Sequence, residues 1–412
     1  MHRPQVAVAP LLVAVAILAC ASPLTSPTIV PPATGVALTL QAMASATAAS
    51  ATAAFASAGT SQSLPTPISA NLLPHALYFL GQDEGGLLQV FRLDADGRTN
   101  HQITFEPIQV DSYDVSPSDG NIAYSSNNQL FVVDANGAGR RMLLDGGPLD
   151  ENNRWMNTVG APVWSPDGQT LAYSHGGLNF LSLSTGASSR VLENKVDTSP
   201  GFAVVSELYA PVSYSPDGSR LLISITFNEG GTYAIYDPAN AQVLRLQRNE
   251  GGIVCCHPTW TPDGRGLYLT SPSMGMVESG LHFADAASGS VTTVLPGAVP
   301  DGTYNFADAV QVGPDGKLYF FFNNLPQIPP GDHTPLFMVR SDSDGVTGRK
   351  QLLPQAFNNL NEILWASDAS LAIVVVTSGA NADAAGQARI LYPDGRATVT
   401  LLQSAQNLRW GP

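Results

Sequence analysis

From residue 76 to the end, the chain alternates short apolar runs with clusters of proline, aspartate and glycine. In Val163-Trp164-Ser165-Pro166-Asp167-Gly168 and the following Thr170-Leu171-Ala172-Tyr173, two β-rich runs flank a tight turn. Proline presets φ at the second turn position, aspartate tolerates the third, and glycine takes the left-handed conformation that closes the hairpin. The pattern predicts strand, turn and strand. It recurs at Ser116-Pro117-Ser118-Asp119-Gly120, Ser215-Pro216-Asp217-Gly218, Thr261-Pro262-Asp263-Gly264 and Gly313-Pro314-Asp315-Gly316, with a worn copy at Trp365-Ala366-Ser367-Asp368. The aspartates at 119, 167, 217, 263, 315 and 368 are spaced by 48, 50, 46, 52 and 53 residues. About four strands per repeat of roughly 40–50 residues is the signature of a β-propeller.

The ends of the pattern are complementary. Residues 76–80, 89–93 and 100–104 read as three strands with none before them, whereas each later repeat supplies four. Residues 113–115, 121–125, 129–134 and 141–144 are one such set; residues 309–312, 317–322, 336–340 and 350–353 are another. The chain finishes on Asn407-Leu408-Arg409-Trp410-Gly411-Pro412, which repeats the Trp-x-Pro of Trp164-Ser165-Pro166 and is a first strand without followers. The expected fold is therefore all-β: a seven-bladed β-propeller whose C-terminal strand completes the N-terminal blade, with six or eight blades as alternatives. Closure of this kind removes two exposed sheet edges.

Composition agrees with many short strands and narrows the partners. Of 412 residues 44% are hydrophobic and 13% charged, with 38 glycines and 31 prolines. The net charge of -14 leaves no basic stripe to neutralise phosphates, so nucleic acid is not expected as a partner. The acidity serves solubility first.

Residues 1–20 read as an export signal: Arg3, an apolar core over 6–18 that is too short for a permanent span, then Ile17-Leu18-Ala19-Cys20. That ending resembles a bacterial lipobox, which implies lipidation of Cys20, although the family prefers leucine where Ile17 stands. Ala19-Cys20-Ala21 also fits ordinary cleavage after a small-x-small triplet. Residues 21–75 are mainly Ala, Ser, Thr and Pro and form the expected flexible tether, and 76–412 the propeller.

The repeat Trp-Ser-Pro-Asp-Gly, strand, then Asp-x-x-Gly resembles the WD40-like repeats of TolB-type propellers over roughly residues 76–412. The resemblance implies the fold and leaves function open, because such propellers serve as scaffolds, envelope interaction modules and enzymes. TolB-type propellers usually have six blades behind a small α/β domain; here seven are counted behind a low-complexity tether. Some seven-bladed relatives are polysaccharide lyases with metal-binding histidines at the channel mouth. By that resemblance a lyase or hydrolase with a channel-mouth metal is the enzymatic alternative.

Blade topology says where a site belongs. Turns between first and second and between third and fourth strands share one face and are tight. The added length, at 145–160, 194–208, 271–280, 296–306, 323–335 and 378–386, falls on the other face. Long loops on a rigid scaffold are where binding groups concentrate. First residues of the innermost strands, aligned by the proline turn, are Asp111, Ala161, Pro211, His257, Asp308, Glu362 and Asn407. They are expected to ring the channel mouth, either as a site for a cation, sugar or peptide or as the polar lining of a watery funnel. Trp155, Tyr304, Phe306 and Phe202 lie in nearby crossovers, as apolar contacts or as core.

Catalytic motifs are sparse. No Gly-x-Ser-x-Gly elbow or phosphate-binding loop occurs, and no hydrolase domain is expected after the propeller. His175, His257 and His333 fall on the loop face, and no cofactor is expected beyond a possible channel-mouth cation. Adjacent Cys255 and Cys256 in an oxidising compartment read either as a strained vicinal disulfide or as two small buried thiols. The sequence thus predicts a lipid-anchored scaffold on the extracytoplasmic face of a bacterial membrane, or a soluble secreted or periplasmic one. A monomer is expected, touching the membrane through its lipid and presenting its loop face to an envelope protein, a peptide or a glycan.

Overall fold

The computed structural model describes residues 71–150, 153–197, 204–228, 230–248, 257–274, 278–329, 334–377 and 385–412, all within one compact unit, Pro67–Pro412. Cys20, Cys255, Cys256, Phe202 and His333 lie outside the described residues.

The described residues form small antiparallel sheets in which sequential strands are neighbours. Val110–Val115, Ile122–Ser126, Gln129–Val133 and Arg141–Asp145 make one sheet in chain order. Gly160–Trp164, Thr170–Ser174, Gly177–Ser182 and Ser188–Glu193 make the next. Val204–Tyr214, Leu221–Phe227, Gly230–Asp237 and Gln242–Arg245 follow, with Lys195–Asp197 added against the start of Val204–Tyr214. Thr259–Trp260, Gly266–Ser271, Gly280–Asp285 and Ser290–Pro296 carry a short extra strand, Gln247–Arg248, parallel to Ser290–Pro296. Tyr304–Val312, Leu318–Leu325, Phe337–Ser341 and Lys350–Gln351 complete the simple sheets.

The remaining sheet has seven strands. It runs Leu360–Trp365, Ala372–Val376, Gly386–Leu391, Val399–Trp410, Leu77–Gln82, Leu88–Leu93 and Asn100–Gln102. Its twelve-residue member Val399–Trp410 serves two sets of strands. The first part pairs with Gly386–Leu391 (Ile390 opposite Val399, Gly386 opposite Ala405), and the second with Leu77–Gln82 (Leu80 opposite Gln406, Leu77 opposite Trp410). The last strand therefore joins the sheet of the first.

Apolar cores lie between successive sheets. Phe306, Phe321, Phe357 and Trp365 pack in one, with Trp365 tilted on Phe321 at 5.8 Å between ring centroids. Phe306 is fully buried there, which assigns it to the core rather than to a ligand. The turns also nest. The aspartates accept the turn hydroxyl and a backbone N–H, as Asp167 does from Ser165 (2.6 Å) and Gln169 (3.0 Å). Gly168 has φ +69 and stands so near Ser118 of the preceding turn that a Cβ would lie 2.1 Å from its Oγ. There glycine is required both for its left-handed backbone and for its missing side chain. Gly120 abuts Pro412 in the same fashion, so the last turn nests on the second sheet's turn.

Within the segment 194–208, expected as a loop, the described ends are paired instead: Lys195 stands opposite Glu207 and Asp197 opposite Val204, and 198–203 lie outside the described residues. Alternation of polar and apolar residues there is too short to distinguish a loop from a two-strand rim.

Candidate functional site

Val110–Val115, Gly160–Trp164, Thr259–Trp260, Tyr304–Val312 and Leu360–Trp365 each have one ladder partner, so the other edge presents backbone groups that the ladder leaves unpaired. The structure meets this need with side chains from the neighbouring set of strands, and those side chains make the site.

Four of the first-strand segments carry a left-handed residue at one common place. Ala161, His257, Ala309 and Asn407 occupy the left-handed region, with φ of 47, 31, 45 and 54, and each lies three residues before its motif position at Trp164, Trp260, Val312 or Trp410. Such a bulge turns one N–H away from its own ladder. The N–H of Ala161 donates to Ser112 Oγ at 3.0 Å and that of Ala309 to Thr270 Oγ1 at 3.0 Å. Glu362 accepts from the N–H of Asn407 and, at 2.6 Å, from that of Leu408. Further along the strands, Asp114 Oδ2 accepts from the Trp164 N–H at 2.8 Å.

The motif tryptophans clip neighbouring sets of strands together. Trp164 Nε1 donates to the Asp114 carbonyl (3.3 Å), Trp260 Nε1 to Ser213 Oγ (3.2 Å), Trp365 Nε1 to the Ala309 carbonyl (2.6 Å) and Trp410 Nε1 to the Trp365 carbonyl (2.8 Å). Tyr113 Oη donates to the Asn407 carbonyl at 2.5 Å.

Charged groups remain along the same strands. Arg409 Nε is 3.6 Å from Asp114 Oδ1, and its Nη1 is 4.0 Å from Glu362 Oε1 and bonds the Leu408 carbonyl at 2.8 Å. His257 Nδ1 is bound to Asp308 Oδ1 across two sheets. Asp308 is 3% exposed and His257 50% exposed, so a buried carboxylate orients a ring that solvent still reaches. The Asp308 charge raises the imidazole above its usual 6.5, against burial, with a smaller contribution from Glu362. Burial pushes the Glu362 and Asp114 carboxyls up, and Arg409 partly offsets this for both. For Arg409, burial opposes the charge, but Asp114, Tyr113 and Glu362 outweigh it and hold the guanidinium protonated.

Of the residues expected at the mouth, His257 and Asp308 are brought into contact, Glu362 and Asn407 are joined through a backbone bond, and Glu362 is electrostatically coupled to His257. Asp111 is exposed and takes a 3.4 Å bond from Gln109. Counted from the motif position, Ser112 and Ala309 are the equivalents of Ala161, one residue after Asp111 and Asp308; Ala309, like Ala161, has no ladder partner, whereas Ser112 stands opposite Ser125. Trp155 is half-buried in the short 3-10 turn Arg154–Met156, and Tyr304 is half-buried against the core containing Phe306. Neither is hydrogen-bonded to the charged group above. Asp114, Arg409, Tyr113 and Ser112 belong to the constellation without having been expected. A polar residue directly before the motif position, as in Asp114-Val115 and Arg409-Trp410, is the signal that marks two of them.

Among the described residues no three His, Cys, Asp or Glu side chains stand close enough together to hold a metal ion. His175 stands apart in the hairpin beside Gly177, its pKa lowered by burial and by Arg190. No helix among the described residues is long and apolar enough to cross a membrane.

No family model and no curated protein sequence matches the chain. Among solved structures, an oligogalacturonate lyase in complex with manganese is similar at a TM-score of 0.50 and 13% identity, covering 79% of this chain and 84% of that one. An oligogalacturonate lyase from Vibrio parahaemolyticus gives 0.49 at 14% identity, covering 73% and 83%. TolB from Acinetobacter baumannii gives 0.42 at 18% identity, covering 79% of each chain. The lyase is a β-propeller, and at such identity what the two chains share is the fold.

Proposed function

We propose that the chain is an exported, lipid-anchored propeller of seven four-stranded blades that acts as a binding scaffold in the bacterial cell envelope. The count takes the seven-stranded sheet as two blades that share Val399–Trp410. Export and anchoring rest on the signal-like residues 1–20 and on Cys20. The partner, an envelope protein or peptide or a glycan, engages the channel end that carries His257. One observation carries this reading: buried Asp308 holds His257 by Nδ1 while half of the ring stays exposed, beside Glu362 and the Arg409–Asp114 pair. Polar groups that serve only to cap strand edges have no need of an exposed, oriented imidazole.

Affinity capture from envelope extracts with the full-length protein tests it. His257→Ala is expected to lose the captured partner while the fold is retained, and unchanged capture by His257→Ala and Glu362→Gln together contradicts the reading. The pair also makes stability depend on pH. The folded-state pKa of His257 lies above the unfolded 6.5, so its stabilisation is complete below that value and is lost as pH rises through the folded pKa. Urea unfolding between about pH 6 and about pH 9 is expected to show that loss in the native protein and a flatter profile in His257→Ala. The same Asp308-held imidazole favours a second reading, proton abstraction from an acidic polysaccharide. Turnover of oligogalacturonate that disappears in His257→Ala identifies it.

A further inference from the structure

A groove of about 680 Å³ lies between the outermost strands Ser188–Glu193 and Gln242–Arg245. These are last in their sheets, so the groove belongs to the periphery rather than to the inner strands that carry His257. It falls in the size range of ligand pockets. Its walls have an unusual grain. Val191, Leu192 and Glu193 all line it, and so do Val243, Leu244 and Arg245. Side chains of consecutive strand residues point to opposite faces, so three in a row mean that the groove meets the strand at its edge.

The edge of Ser188–Glu193 is open. It pairs with Gly177–Ser182 on one side, and no backbone bond joins its other side among the described residues. Val191 is the bulged residue: Leu178 stands opposite Leu192 and Asn179 opposite Arg190, leaving Val191 with no registered partner. The opposite wall shows what such an edge accepts. Ser290 and Val291 there carry an added parallel strand, Gln247–Arg248, and Gln247 and Ser290 both line the groove.

Two of the three charged residues that line the groove, Lys195 and Arg245, are cations. Lys195 Nζ is 2.8 Å from Glu207 Oε2, and Arg245 and the Tyr209 hydroxyl bond the same carboxylate. Those bonds outweigh burial and hold Glu207 ionised, with its pKa down to about 2. Arg190 lies 3.8 Å from Glu193. The lining thus holds two cations, Lys195 and Arg245, and one carboxylate, Glu193, in a chain whose net charge is -14. Arg245 spends one bond on Glu207 and keeps further N–H donors for a second acceptor.

We propose that this groove docks an extended acidic peptide segment of a partner, added as a strand to the open edge of Ser188–Glu193 with a carboxylate set against Lys195 and Arg245. Main-chain bonds supply affinity in such additions, and the side-chain charge selects the sequence. This site is independent of the channel end.

The test uses full-length protein and a capped, fluorescein-labelled peptide of alternating valine and aspartate, beside a version with lysine for aspartate. Anisotropy is expected to show binding of the aspartate peptide that weakens with salt, and about tenfold or greater loss in Lys195→Glu. Bound peptide is expected to slow amide exchange across residues 188–193. Val191→Pro, at the bulge where proline is best tolerated, is expected to abolish the protection. Should that variant fail to fold, the exchange pattern and Lys195→Glu decide. Equal binding of both peptides, protection elsewhere or nowhere, or no anisotropy change up to about 1 mM peptide overturns the proposal.

Discussion

Removal of residues 406–412 is expected to lower the melting temperature by on the order of 10 °C or more and to render the remaining chain prone to aggregate. Those seven residues occupy the first-strand position against Leu77–Gln82. Leu408 is fully buried, and loss of a buried leucine side chain alone costs about 2–5 kcal/mol. Truncation also removes the Trp410 indole from the Trp365 carbonyl and the Gly411 N–H from the Ala76 carbonyl, which is 2.9 Å away. It strips Arg409 from Asp114 and Glu362 as well, leaving two carboxylates without their cation. Breaking a buried ion pair from one side typically costs about 3–5 kcal/mol; Arg409 is 46% exposed, so less is expected here. Finally, the edge of Leu77–Gln82 becomes a template for pairing with other chains. A synthetic peptide of residues 406–412 is expected to restore part of the melting temperature, and the same peptide with alanine for Trp410 to restore less. A truncated protein that melts like the intact one contradicts the assignment of these residues to the first sheet.

Trp365→Ala is expected to destabilise by about 3–5 kcal/mol, read as a lower urea midpoint at unchanged slope. Trp365 is 7% exposed, packs on Phe321 and Tyr319, and donates from Nε1 to the Ala309 carbonyl. Trp365→Phe keeps most of the apolar volume and leaves that buried carbonyl unpaired, so about 1–3 kcal/mol is expected. Trp155, half-buried on a surface turn with no sheet-to-sheet bond, is the internal comparison: Trp155→Ala is expected to cost less than Trp365→Phe. Equal losses at positions 155 and 365 would show that the indoles matter as bulk alone.

Much of the fold was legible because its turns are local. Ser165-Pro166-Asp167-Gly168 needs only its own residues to close, and the hydroxyl–aspartate–N–H bonds at Asp167, Asp217 and Asp263 repeat that chemistry. The place of Trp410 followed from the same motif read at the chain's far end. The second role of the tryptophans was not legible, since their indole partners lie about one repeat away in sequence. The candidate site was legible by region rather than by residue. Ala161, His257, Ala309 and Asn407 all stand five residues before their prolines, whereas Asp308 and Asp111 stand six before theirs. Ala309 therefore holds the place equivalent to Ala161, and Asp308, one residue earlier, reaches His257 instead. Asp114 and Arg409 escaped because their charges look like ordinary surface residues until the sheets are set side by side. The paired rim at 194–208 depends on Lys195 meeting Glu207, a long-range match without local pattern.

Cross-linking tests the closed ring most directly. Leu77 and Trp410 stand opposite one another, and facing residues of antiparallel strands have Cα atoms about 4.5–5.5 Å apart, within disulfide reach. In a Cys255→Ser, Cys256→Ser background, Leu77→Cys with Trp410→Cys is expected to oxidise to a single intrachain bridge in folded monomer. Leu77→Cys with Trp365→Cys should remain reduced. Bridging of the first pair no faster than of the second would contradict the joining of the last strand to the first, on which the proposed propeller and its binding end depend.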